Sequence, residues 1–140
     1  RTLYRSEKFS MASSLSDQRK QFGEALQPVA VQCRRLSPYL REPVDFLKLD
    51  IEGEEDRVLT ECAGVLANVH YLFCEYHQGP GLPGDRLPKI LQLLSDRGFA
   101  VHVGKSHGFQ ERTKRRPMTF VDEPYSAVLY AKNRNWPPAR

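Results

Sequence analysis

Two pairs of polar side chains lie at the ends of two predicted strands. Asp50 and Glu52 end the apolar run of residues 44–51, and Glu75 and His77 end the next apolar and aromatic run. Because residues two apart on a strand share a face, the members of each pair point the same way. If the two strands are neighbours, the four side chains line one crevice, where such groups can transfer a proton or bind a divalent cation.

The residues that flank Asp50 also have structural interpretations. Lys48 lies on the same strand face as Asp50 and could be its ion-pair partner. Gly53 permits a tight turn into the helix that follows. We expect three further carboxylates to be solvated or to compensate the positive end of that helix's dipole: Glu54, Glu55 and Asp56.

The elements that must position these residues alternate between strands and helices. Strands are predicted at 2–5, 28–36, 44–51, 69–77, 99–103 and 125–133, and helices at 54–68 and 85–97. This alternation implies right-handed crossovers and a mostly parallel α/β sheet, with ligands bound beyond the carboxyl ends of the strands. The last two strands have no helix between them and are predicted to form an antiparallel pair at one edge.

Composition limits the classes of protein to consider. A chain of 140 residues predicts a single α/β domain over 1–140. The net charge of +4 is too small to favour nucleic acid as a partner, and no apolar run is long enough to favour a membrane. The cysteines lack metal-type spacing and predict a reducing, cytoplasmic location: Cys33, Cys62 and Cys74.

Two motifs carry a resemblance to a known family. "VDFLKLDIEGEEDRVL" (44–59), followed by "LFCEYH" (72–77), resembles the FkbM-type methyltransferase family. The hallmark positions in this sequence are Lys48, Asp50, Glu52, Gly53, Glu55, Glu75 and His77. The later segments "ILQLLSDRGF" and "AVLYAKN" are similar to the family's C-terminal segment, so the resemblance covers most of residues 28–132.

The resemblance implies a fold and an activity. The implied fold is a three-layer Rossmann-like methyltransferase sheet, mostly parallel with an antiparallel last strand. The implied activity is S-adenosylmethionine-dependent methylation of a hydroxyl group on a sugar or a natural product. The family's glycine-rich cofactor loop has no counterpart here, so we expect the C-terminal half of such a domain, incomplete at its N-terminus. Such a half would expose a sheet edge, through which the chain could self-associate.

Residue roles follow from the same resemblance. Asp50 and Glu52 would lie beside the methyl donor and acceptor, His77 would be the general base, and Glu75 would position it. Cofactor binding is assigned to Asp50 and to the loop hydroxyls of Ser13 and Ser14. Structural and charge-setting roles are assigned to Lys48, Gly53 and Glu55.

Two other hypotheses use the same residues. A divalent-metal-dependent enzyme would ligate Mg²⁺ or Mn²⁺ through oxygen and imidazole donors: Asp50, Glu52, Glu75 and His77. A non-catalytic interaction module would instead keep the acidic cluster structural and would bind an anionic partner through the basic residues of 112–116.

Overall fold

The computed structural model of the chain describes residues 1–6, 13, 15, 26–79, 83–105 and 125–136. Its strands are β1 (Thr2–Ser6), β2 (Leu26–Ala30), β3 (Val44–Leu49), β4 (Val69–Gln78), β5 (Phe99–Lys105) and β6 (Tyr125–Asn133). Its α-helices are α1 (Glu55–Glu61) and α2 (Arg86–Asp96). Ser14 and the basic residues of 112–116, which carry two of the predictions above, lie outside the described residues.

The first two strands form a separate antiparallel ribbon. β1 pairs with β2 from Thr2 opposite Ala30 to Ser6 opposite Leu26. The strand predicted over residues 28–36 is found at Leu26–Ala30, so it begins two residues earlier and is shorter than predicted. Arg1 and Val31 continue the ribbon by one pair of backbone hydrogen bonds.

A second sheet of four strands has the order β3-β4-β6-β5 among the described residues. β3 and β4 are parallel, whereas β6 is antiparallel to both β4 and β5. The predicted antiparallel pairing of the last two strands is confirmed. β3, β4 and β5 run in one direction and only the last strand is antiparallel, as the sequence predicted, so the sheet is mixed. β6 lies between β4 and β5.

The helices differ in how well the sequence predicted their bounds. α2 lies within the predicted range 85–97, and Gly98 follows it with a φ of 85°. α1 is much shorter than the predicted range 54–68, since the chain leaves the helix at Cys62 and reaches a 3-10 turn at Leu66–Asn68. The apolar residues predicted to face the core still do so, because Cys62, at the end of α1, and Leu66, in the 3-10 turn, are both buried.

The core lies on one face of the four-stranded sheet. Strand and helix side chains are almost fully buried there, among them Leu49, Leu72, Tyr76, Leu129, Leu59, Ile90 and Leu94. The other face carries exposed aromatic side chains: Phe46, Tyr71 and Tyr130. The described residues therefore place one helical layer on the sheet, and the predicted three-layer arrangement is not confirmed.

The sheet has a free edge within the described part of the chain. β3 pairs with β4 alone, so its outer backbone groups face away from the sheet. Self-association through this edge stays a prediction. Among the described helices, none combines the length and the apolar character that a membrane span requires.

Candidate active site

The four polar residues predicted at the strand ends lie close together. The parallel register sets Leu49, the last residue of β3, opposite Cys74 of β4, so the turn after β3 lies beside Glu75 and His77 on the last part of β4. His77 Nε2 is 3.8 Å from a carboxylate oxygen of Glu52 and 3.8 Å from one of Glu75. Asp50 joins this group, since its ligand atom and those of Glu52 and His77 lie within 4.8 Å of one another. The predicted convergence is confirmed, and the catalytic roles stay predictions.

The turn after β3 directs Glu52 back toward β4. Glu52 has a φ of 54° and Gly53 a φ of 105°, so both residues adopt the left-handed conformation. Glycine takes this conformation without steric penalty, whereas a residue with a β-carbon is strained by it. The predicted turn at Gly53 is confirmed. The strained backbone conformation of Glu52 places its side chain beside the His77 imidazole.

Glu55 is buried, so of the two alternatives, solvated or compensating the helix dipole, the solvated one is wrong for this residue. Its side chain has no exposed surface, and its Oε1 accepts a hydrogen bond from the Gly53 amide at 3.0 Å. The same oxygen lies 3.0 Å from Nδ1 of His77. Its second oxygen, Oε2, has no hydrogen-bond partner among the described residues. A buried carboxylate in this position fixes the orientation of the imidazole ring.

The two acidic neighbours of Glu55 are also paired. Glu54 contacts Arg57 at 3.1 Å and Arg1 at 3.2 Å. Burial tends to raise the pKa of Asp56, but the hydrogen bond from Arg86 and the charge of this arginine together outweigh burial and lower the pKa. Besides lying in the first turn of α1, where they suit its dipole, Glu54 and Asp56 thus form ion pairs with arginines.

The electrostatics of the cluster act on His77. Burial alone would lower the pKa of this imidazole, because it disfavours the charged form. The hydrogen bond with Glu55 and the charges of Glu52 and Glu75 outweigh burial and raise the pKa above its ordinary value. The folded chain therefore stabilises the protonated form of His77 relative to an exposed imidazole.

Lys48 contacts Asp50, as its place on the strand face predicted. The Lys48 Nζ lies 2.9 Å from Asp50 Oδ2, and both side chains are partly exposed. The hydrogen bond and the charge of Asp50 raise the pKa of Lys48. Lys48 therefore balances one of the carboxylates that surround His77.

Arg86 is a residue that the sequence reasoning missed. Only 5% of its surface is exposed, and its guanidinium donates to the backbone oxygen of Gly53 and to Asp56. A weaker contact of 3.4 Å reaches the backbone oxygen of His77. One signal was present, since Arg86 lies four residues before Ile90 and so continues the buried stripe of α2. Arg86 connects the β3 turn, α1 and the end of β4.

A cavity of about 890 Å³ opens beside the cluster. Its lining includes three of the four predicted catalytic side chains: Asp50, Glu52 and Glu75. Ser13, one of the two predicted cofactor-binding serines, also lines it. Its volume falls in the upper part of the range of small-molecule sites, about 300–1,000 Å³.

The chain matches the model of one protein family over most of its length. The family model described as "Methyltransferase FkbM domain" matches residues 2–101. The chain belongs to the FkbM methyltransferase family. Every candidate residue of the cluster lies inside the matched range of this FkbM domain. Neither the curated proteins nor the solved structures contain a match.

The match also corrects the predicted extent of the resemblance. The FkbM match starts at residue 2 and so includes the β1–β2 ribbon, which the resemblance over residues 28–132 left out. It ends inside β5, so β6 lies beyond it. The matched region is therefore the start of this chain, and it joins the ribbon and the carboxylate cluster in one family domain.

Proposed function

We propose that this FkbM domain transfers a methyl group from S-adenosylmethionine to a hydroxyl oxygen of a sugar or a natural product. The observation that carries the proposal is the convergence of His77 with the carboxylates of Asp50, Glu52 and Glu75 beside a cavity, within the matched range. The cytoplasmic location predicted from the cysteines is part of the proposal, and all three cysteines are unpaired thiols.

The carboxylates fit a cationic methyl donor. S-adenosylmethionine supplies a methyl group on a positively charged sulfur, and the reaction is an in-line displacement by the acceptor oxygen. Asp50 and Glu52 favour positive charge at the strand ends, and either carboxylate can orient the acceptor hydroxyl by accepting its hydrogen bond. Asp50 and Ser13 are the described residues assigned to hold the cofactor, and both line the cavity.

His77 is suited to take the proton that the acceptor hydroxyl loses. Its Nδ1 is held by Glu55 at 3.0 Å, which leaves Nε2 directed toward Glu52 and Glu75. Because the surrounding carboxylates raise the pKa of His77, they stabilise the imidazolium formed by this transfer. The base acts only in its neutral form, so we expect the rate to rise with pH through the pKa of His77.

Transfer of an isotopically labelled methyl group tests the proposal. The full chain is incubated with labelled S-adenosylmethionine and a panel of sugars and polyols, and methylated products are detected by mass spectrometry. We expect His77→Gln to reduce transfer by about 100-fold or more, as loss of a general base does. The control is His102→Gln, because His102 is exposed on β5 and contacts Tyr130, outside the cluster. Equal transfer by the two variants would exclude His77 as the base.

A divalent-cation site is a second candidate, favoured by the ligand geometry. Asp50, Glu52 and His77 each offer a ligand atom within 4.8 Å of the others, and the set of oxygen and imidazole donors suits Mg²⁺ or Mn²⁺. A cation there would compete with the proton at Nε2. NMR titration of His77 with and without Mg²⁺ separates the two: metal binding predicts a lower apparent pKa, and no change would exclude this candidate.

A further inference from the structure

The cavity beside the cluster is lined by groups of opposite charge. Arg34 and Arg35, from the segment that follows β2, contribute positive charge to its lining. Asp50, Glu52 and Glu75 contribute negative charge to the same cavity. Apolar side chains, among them Leu36 and Ile51, complete the lining. A ligand that matches such a cavity has both an anionic group and a group that donates hydrogen bonds to carboxylates.

The two arginines have no partner among the described residues. The other arginines of the lining, Arg1 and Arg57, are both paired with Glu54. Arg34 and Arg35 are exposed, and neither forms an ion pair or a hydrogen bond within the described ranges. Because both arginines line the cavity, a ligand bound there can contact their guanidinium groups.

Glu61, the last residue of α1, is a further carboxylate of the cavity lining, and it already accepts hydrogen bonds within the chain. The donors are the backbone amide and the hydroxyl of Ser37. The hydrogen bond from the Ser37 hydroxyl is the main reason that the pKa of Glu61 is lowered. Glu61 is thus held by the 3-10 turn at Ser37–Leu40, and it is not paired with Arg34 or Arg35.

From this arrangement we infer that the methyl acceptor carries an anionic group, a carboxylate or a phosphate, which Arg34 and Arg35 bind. Guanidinium groups recognise both anions through paired, charge-assisted hydrogen bonds. The acceptor hydroxyl then lies toward Asp50 and Glu52, which repel the anionic end and so fix the direction in which the acceptor binds. The inference rests on the proposed function, and it narrows the acceptor to anionic hydroxyl compounds.

Calorimetric titration of the full chain, without cofactor, tests the inference. The probes are glucose, glucuronate and glucose 6-phosphate, which differ mainly in the anionic group. We expect the charged sugars to bind about tenfold or more tightly than glucose, and Arg34→Gln/Arg35→Gln to abolish that preference. The matched control is Arg97→Gln/Arg134→Gln, which removes two exposed positive charges outside the cavity and keeps the preference.

The outcomes separate the two anions. Tighter binding of glucose 6-phosphate assigns a phosphate to the acceptor, and tighter binding of glucuronate assigns a carboxylate. Equal binding of glucose and the charged sugars, or no binding of either charged sugar, would overturn the inference. So would a preference that survives Arg34→Gln/Arg35→Gln, or loss of S-adenosylmethionine binding alone in that variant.

The inference and the proposed function can fail separately. Asp50→Asn/Glu52→Gln removes two of the carboxylates beside the methyl group and is expected to abolish methyl transfer while the preference for charged sugars remains. A wild-type chain that prefers charged sugars but transfers no methyl group contradicts the proposed function alone. A wild-type chain that methylates neutral and anionic sugars equally well contradicts the inference alone.

Discussion

The acidic stretch after β3 divides into an open half and a buried half. Asp50 and Glu52 belong to the open half, which lines the cavity beside His77. Glu55 and Asp56 belong to the buried half, where one carboxylate is fully buried and the other is paired with the buried Arg86. Acidic residues within seven positions of one another thus have different partners: Asp50 and Glu52 line the cavity, whereas Glu55 and Asp56 bond to groups of the protein.

The two halves are expected to have different roles: the buried half stabilises this strand end, and the open half contacts the ligand. The buried half holds the turn, α1 and the His77 ring in place through partly buried hydrogen bonds. The open half leaves its carboxylates accessible to a ligand. We therefore expect substitutions in the buried half to reduce stability, and substitutions in the open half to reduce activity.

The largest expected effect on stability is that of Arg86→Met. It removes the cation that bonds Asp56 and the Gly53 carbonyl, so we expect a loss of about 3 kcal/mol in the free energy of unfolding. Urea unfolding followed by circular dichroism measures it. The control is Lys89→Met on the same helix, which breaks an exposed pair with Asp85 and should cost about 1 kcal/mol or less. Equal losses would show that Arg86 does not anchor the turn.

A smaller effect is expected for Glu55→Gln. The substitution keeps the shape of the side chain but removes the charge that faces Nδ1 of His77, so we expect a loss of about 1–2 kcal/mol in the free energy of unfolding. NMR titration should also show a lower pKa for His77. Glu54→Gln, at the partly exposed pair with Arg57, is the matched control and should leave the pKa of His77 unchanged. If the pKa of His77 is the same in Glu55→Gln as in the wild type, the charge of Glu55 does not act on His77.

The pH dependence of stability gives the smallest expected effect. Because folding raises the pKa of His77, its contribution to stability is complete below the unfolded pKa of about 6.5. The contribution is lost as the pH rises through the higher folded pKa. Urea unfolding at a series of pH values should therefore show stability falling across this window in the wild type and a flatter profile in His77→Gln. Identical profiles would contradict the raised pKa.

The convergence at the strand ends was predictable because its rule is local. Residues two apart share a strand face, and the parallel pairing of β3 with β4 brings the two pairs of side chains together. The position of β6 between β4 and β5 could not be read from the chain order, since long-range pairing decides it. The antiparallel direction of β6, which makes the sheet mixed, was part of the prediction.

The buried half was not predictable for a different reason. The dipole of α1 is a sufficient explanation for acidic residues in its first turn, and the family resemblance assigned Glu55 a structural role without indicating that it is buried. Its burial depends on how α1 lies against β4, where His77 offers a hydrogen bond. Arg86 carried a weak signal in its helical spacing with Ile90 and Leu94, but an arginine in such a stripe also suits a solvated helix end.

The most direct test of the central claim compares methyl transfer with stability in Glu52→Gln and Glu54→Gln. These neighbouring carboxylates differ in that Glu52 lies beside His77, whereas Glu54 is paired with arginines. We expect Glu52→Gln to lose methyl transfer by about tenfold or more and to keep its free energy of unfolding within about 1 kcal/mol of the wild type. Glu54→Gln should keep both. Wild-type transfer by a folded Glu52→Gln chain would contradict the assignment of the open half to catalysis.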